Sequence, residues 1–266
     1  MHFKRLSVAA ILLPALYLYI MYLSSAYFIF FLICMSVIAL SEFYAMYRVT
    51  GILRYAGLFF GILILSIFYI SKDLLPNVII ISAMAVAAIR LLFRRNPQSS
   101  LSDVSIPVFG LLYIPSLLTF QAHIREAGPE WIILLYATVW GADTMAYYIG
   151  TLVGKKKLYV EVSPNKTLAG AVGSLIGGVL AVFVVKATLI PVLTVSSVLF
   201  IGIMVGTITV LGDLVESMFK RDAGVKDSGI IIPGHGGILD KIDGVLFAGP
   251  VLFWILIALR IIENGK

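Results

Sequence analysis

Charge is what this sequence has least of. Asp, Glu, Lys and Arg make up 13% of its 266 residues, about half the share usual in soluble domains. That shortage excludes an ordinary water-soluble globule. Cysteine is almost missing as well: Cys34, inside an apolar run, stands alone, so neither an intramolecular disulfide nor a cysteine cluster can form. No low-complexity linker and no convincing soluble domain interrupt the chain. What fills it is hydrocarbon, 61% of all residues, in apolar runs of roughly 18 residues or more, the length a helix needs to cross a bilayer. The sequence reads as an all-α polytopic membrane protein.

Hydropathy gives about nine transmembrane spans, at roughly 6–23, 26–46, 55–71, 77–93, 104–121, 131–153, 168–187, 190–212 and 244–262. The N-terminus imitates a secretory signal, with Lys4 and Arg5 before an apolar run and small residues after it. The run is too long for a signal core, and the reading is a retained first helix. The net charge of +6 does not point to nucleic acid, because most cations lie in short loops between spans. With the N-terminus cytoplasmic, Lys4-Arg5, Arg94-Arg95, Lys155-Lys156-Lys157 and Lys220-Arg221 all fall inside, and only Lys72, Arg125, Lys186, Arg260 and Lys266 fall outside. This puts loops 154–167 and 213–243 on the cytoplasmic face, where nucleotides are found. The expected organisation is a transmembrane scaffold over 1–125 and a catalytic half over 126–266, without a clean boundary. Gly173 with Gly177, and Gly202 with Gly206, have the spacing that lets helices approach closely.

The polar residues concentrate in one window, Gly212 to Gly244. Asp213, Glu216, Asp222, Asp227, Asp240 and Asp243 lie there, out of 14 acidic residues in the chain, together with Lys220, Arg221, Lys226, Lys241 and His235. On a helix continuing from the eighth span, Asp213, Glu216, Ser217 and Lys220 share one face, and Asp240 and Asp243 form a second pair at the start of the ninth. Such pairs offer hard oxygen ligands for Mg²⁺, which binds few protein carboxylates and keeps room for phosphate. The plainer alternative is a solvated loop whose charges pair with one another, but carboxylates beside hydrocarbon are costly without partners. Lys220, Arg221 and Lys226 suit a polyphosphate. The glycines around His235 suit an anion-binding turn, with His235 either donating to phosphate or holding the turn.

A second polar island, Ser163-Pro164-Asn165-Lys166-Thr167, precedes an apolar helix whose N-terminus favours anions. Lys166 adds a full positive charge there, although Ser or Thr before a helix is often only a cap. Asp143, inside the sixth span, is either a further metal ligand or the partner of a buried cation. His2 and His123 are assigned nothing.

Taken together, Ser217-Met218-Phe219-Lys220-Arg221, Lys226-Asp227-Ser228-Gly229 and the run Pro233 to Asp243 resemble the signature of phosphatidate cytidylyltransferases, the CDP-diacylglycerol synthases. Gly212 to Glu216, Ser163 to Thr167, and Trp140 with Asp143, Ala146 and Tyr147 also match, so the resemblance covers roughly 140–250 with spacing intact. Upstream, only hydropathy is similar. Two positions depart from the pattern: Lys241 stands where Arg is usual, and Ala169 where Glu or Gln is usual.

The resemblance implies CTP and phosphatidic acid as substrates, and CDP-diacylglycerol and pyrophosphate as products, in phospholipid biosynthesis. It implies Mg²⁺, as one ion, as two, or as one with a monovalent cation. Asp213 and Asp240 are the foremost metal ligands, with Glu216 and Asp143 beside them. Lys226, Asp227, His235 and Asp243 are placed at the reacting groups, Asp227 either as ligand or as orienter of Lys226. Ser163, Lys166, Thr167, Lys220, Arg221 and Lys241 hold nucleotide and phosphate. A homodimer is permitted, and the location is a bacterial inner membrane if the source is bacterial. The runner-up is a CTP-dependent transferase on another lipid phosphate, such as an ether-linked one. An ion-coupled transporter is a remote third, since its polar residues would spread through several spans at mid-depth.

Overall fold

Long apolar runs leave backbone groups no water to bond, so each must close its own hydrogen bonds as helix. The computed structural model describes residues 13–231 and 236–262 and is nearly all helix. Its elements are α1 (Leu13–Tyr22), α2 (Ser25–Met46), α3 (Ile52–Ile70), α4 (Leu75–Phe93), α5 (Ser100–Leu111), α6 (Leu117–Ala127), α7 (Pro129–Val153), β1 (Lys157–Tyr159), β2 (Ser163–Thr167), α8 (Leu168–Thr188), α9 (Val195–Asp222) and α10 (Leu239–Ala258). Among the described residues, eight helical segments are long and apolar enough to span a bilayer, α5 and α6 counting as one. Of the expected span 6–23, α1 is the described part; the rest lies outside the described residues.

Where α5 joins α6, a wider turn at Leu112–Ser116 surrounds Pro115. Proline has no N–H to give the Leu111 carbonyl four residues back, and the Ser116 hydroxyl donates to that oxygen instead, at 2.8 Å. The eighth expected span begins later and ends later than hydropathy suggested. Pro191 and the Thr194 cap, whose hydroxyl accepts from Ser197 N at 3.2 Å, set its start, and the helix then runs past Asp213 to Asp222.

Helices α7, α8, α9 and α10 pack in succession. A side chain on Gly177 would strike the Gly141 carbonyl of α7, and one on Gly178 would meet the Gly202 carbonyl of α9 at 2.5 Å, so α8 is pressed backbone to backbone between its neighbours. The glycines expected to pack do pack. An aromatic seam joins the earlier helices to α9: the Phe219 ring lies 5.3 Å from Phe109, 5.5 Å from Tyr113 and 6.2 Å from Phe43.

Among the described residues there is one piece of sheet, which was not foreseen. β1 and β2 pair antiparallel, Lys157 opposite Thr167 and Tyr159 opposite Ser163, which folds the second polar island back toward α9.

Candidate active site

The site forms where α9 and α10 touch. Gly212 lies against α10 so closely that a Cβ there would meet the Asp243 carbonyl at 2.8 Å. The helical spacing predicted for Asp213, Glu216 and Lys220 then lines one face of α9, while Asp240 and Asp243 sit on the first turns of α10.

Two stations result. At the first, Lys166 on β2 brings Nζ to 2.6 Å from Asp213 Oδ2, and the Ser217 hydroxyl donates to Oδ1 at 3.3 Å. Both residues line a cavity of about 580 Å³, with Asp143, Tyr147, Asn165 and Thr167 also on its wall. This volume lies within the range of small-molecule sites. Asp243 is within electrostatic reach of Asp213, Glu216 and Asp143, and Asp143 is within reach of Lys166 and Lys241.

At the second station, Asp240 accepts four hydrogen bonds. Oδ1 accepts from Lys220 Nζ at 2.6 Å. Oδ2 accepts from Gly237 N at 2.7 Å, Ser228 Oγ at 2.8 Å and Ser228 N at 3.0 Å. Lys220 also pairs with Glu216, whose side chain is completely buried. The structure therefore sets the Lys220 ammonium between two carboxylates rather than toward open solvent.

The remaining expected residues are distributed as follows. Thr167 caps α8, its hydroxyl accepting from Gly170 N at 3.0 Å, while still facing the cavity. Arg221 donates from Nε to the Val162 carbonyl at 3.2 Å and from Nη1 to the Val225 carbonyl at 3.1 Å, tying the end of α9 to the hairpin. Ser163 is half-buried on β2, and Lys226, Asp227 and Lys241 are exposed. His235 lies outside the described residues.

Sequence reasoning missed Glu42. It rises from α2 to the loop before α10, where Oε1 accepts from Ile238 N at 3.0 Å and Oε2 from Leu239 N at 2.9 Å and Ser228 Oγ at 3.3 Å. One signal was available: Glu42 is the sole charged residue of α2, and an ionisable side chain inside a span is itself a mark of function.

The donor set suits a small hard cation, because the acids at the first station offer only oxygens and repel one another with Lys166 as the near counter-charge. Among the described residues, no group of three His, Cys, Asp or Glu side chains already converges as a metal cage. Mg²⁺ needs none, since it takes one or two carboxylates and fills the rest with water and phosphate.

Comparison with known proteins gives the family. The chain is similar to the phosphatidate cytidylyltransferase of Staphylococcus haemolyticus, 32% identical over 258 residues, 96% of this chain and 99% of that protein. It is also similar to proteins of the same name from Mycobacterium bovis, 37% identical over 62% of this chain and 54% of that protein, and Synechocystis, 42% identical over 50% of this chain and 45% of that protein. In the latter two, the match spans about half of the relative's length. Residues 3–259 match the sequence model of the cytidylyltransferase family, and the chain belongs to that family.

Proposed function

We propose that this chain is an integral-membrane phosphatidate cytidylyltransferase that converts CTP and phosphatidic acid to CDP-diacylglycerol and pyrophosphate. The observation that carries the reading is the meeting of two distant polar segments, through Lys166 and Asp213, at one cavity beside apolar helices. A nucleotide needs the polar wall and a lipid phosphate needs access from the bilayer; this position serves both.

In the reaction, an oxygen of the phosphatidate phosphate bonds to the α-phosphorus of CTP as the bond to the pyrophosphate oxygen breaks. A phosphate monoester is already a competent nucleophile near neutral pH. The demand on the protein is to hold two anions together in line and to neutralise the charge that develops. Lys166 binds nucleotide phosphate from the hairpin, with Ser163 and Thr167 beside it. Lys241, Lys226 and the free edge of Arg221 supply further cations at the rim, and Asp227 orients Lys226. Asp213, with Asp243 and Asp143 near, would hold Mg²⁺, which supplies charge neutralisation for the phosphates when bound. Asp240, Lys220 and Glu216 form the buried brace that sets α10 against α9. Lys241 in place of Arg keeps the charge and gives up a bidentate grip.

The site faces the cytoplasm on this reading, in keeping with the placement of the lysine and arginine clusters. The test is purified protein in detergent micelles with phosphatidic acid, radiolabelled CTP and Mg²⁺, beside an EDTA control. Metal-dependent label in the lipid phase is the expected result. Label only with an ether-linked lipid phosphate would move the assignment to the neighbouring substrate class, and no label with either lipid would overturn it.

A further inference from the structure

Helix α10 begins with a deficit. The first N–H groups of any helix lack partners within it, and Ile238, at the cap position, has no side-chain oxygen to offer. Those donors are buried near hydrocarbon, where leaving them unmade is expensive. The missing acceptor comes from another helix: Glu42 takes Ile238 N and Leu239 N, one on each carboxylate oxygen. A carboxylate here also sits at the positive end of the α10 dipole.

The surroundings are shaped to admit this group. A Cβ on Gly229 would come within 2.5 Å of Glu42 Oε1, and one on Gly237 within 2.5 Å of Oε2. Gly237 N and Ser228 are the same groups that bind Asp240 Oδ2. The Ser228 hydroxyl stands between the two carboxylates, 3.3 Å from Glu42 and 2.8 Å from Asp240. Glu42 is 6% exposed, so substrate does not reach it. Its influence passes through the loop it grips.

We infer that Glu42 is a positioning residue: its carboxylate holds Ser228–Gly229 and Gly237–Leu239 together, and through them the Asp240–Lys220 brace, in the geometry the transfer requires. This inference rests on the proposed cytidylyl transfer for its kinetic test, but its structural test does not. Glu42→Gln keeps the shape and turns one acceptor oxygen into a donor facing N–H or O–H groups.

The experiment compares wild type and Glu42→Gln in micelles by thermal melting, by hydrogen exchange over 228–240 and by steady-state kinetics. Expected are a folded variant, faster exchange confined to that loop and the first turn of α10, and kcat lower by about tenfold or more, the scale of one lost charge-assisted hydrogen bond. KM for CTP stays within about twofold, because Lys166 and the hairpin are untouched. Faster exchange with wild-type kcat would reduce Glu42 to a structural cap and overturn the inference. So would unchanged exchange, whatever the kinetics. Should Glu42→Gln not fold, Ser228→Ala leaves both backbone bonds and removes only the hydroxyl between the carboxylates. A few-fold fall in kcat at constant KM is then expected, and unchanged kcat would overturn the inference. Wild-type protein that makes no lipid product sinks the proposed function instead and leaves the exchange comparison to decide on Glu42.

Discussion

Asp213 and Asp240 are the same residue type on neighbouring helices, yet they are built into different surroundings. Asp213 stands on a cavity wall, its side chain 38% exposed, with one lysine and one weak hydroxyl contact. Asp240 is 10% exposed and meets a lysine, two backbone N–H groups and a hydroxyl. An acid with room around it is more open to a ligand than one that already accepts four hydrogen bonds. The difference teaches that identity and spacing select a set of acids, and the neighbours divide the labour among them.

Measurements can sharpen or break that division. The largest effect expected is from EDTA, which stops turnover, with Mg²⁺ restoring it. The restoration curve should shift to higher Mg²⁺ in Asp213→Asn and stay near wild type in Asp240→Asn, and equal midpoints would erase the distinction. Next, Asp213→Asn should lower kcat on the order of 100-fold with little change in melting temperature. Asp240→Asn should do the opposite in stability, costing about 1–3 kcal/mol because one acceptor oxygen becomes an NH2 donor facing either Lys220 or the Ser228 and Gly237 donors, while Lys220 keeps Glu216; a denaturation series on both variants reads this. Lys166→Met should raise KM for CTP by roughly tenfold, the scale of a lost phosphate contact, and a change in kcat alone would remove it from nucleotide binding. The smallest effect is Thr167→Ala, which should cost about 1 kcal/mol as a lost cap, seen as a modest fall in melting temperature.

The sequence made the spans and the acid pairs legible for a simple reason: both are local periodicities. Asp213, Glu216 and Lys220 fall together because they are three, four and seven positions apart on one helix, and α9 does continue through them to Asp222. The hairpin was hidden because its strands hold only three and five residues, too short for alternation to show, and one carries Pro164. The occupation of Lys220 was hidden because its partner on α10 comes from across a loop, so charge counting read it as free for phosphate. Glu42 was hidden by averaging: one carboxylate among the aromatic and aliphatic residues of α2 barely moves a hydropathy window, and its partners lie 196 and 197 positions away.

That separation has a consequence for how the protein is made. Glu42 enters the membrane with α2, and the amides that receive it belong to the last described helix. At ordinary synthesis speeds, those amides emerge about 10–40 seconds later. Through that interval, the Glu42 carboxylate, near the end of an apolar helix, lacks these amide partners and relies on water. That pairing is therefore completed only when α10 reaches α2, and a product cut short before α10 leaves the Glu42 carboxylate without these amides.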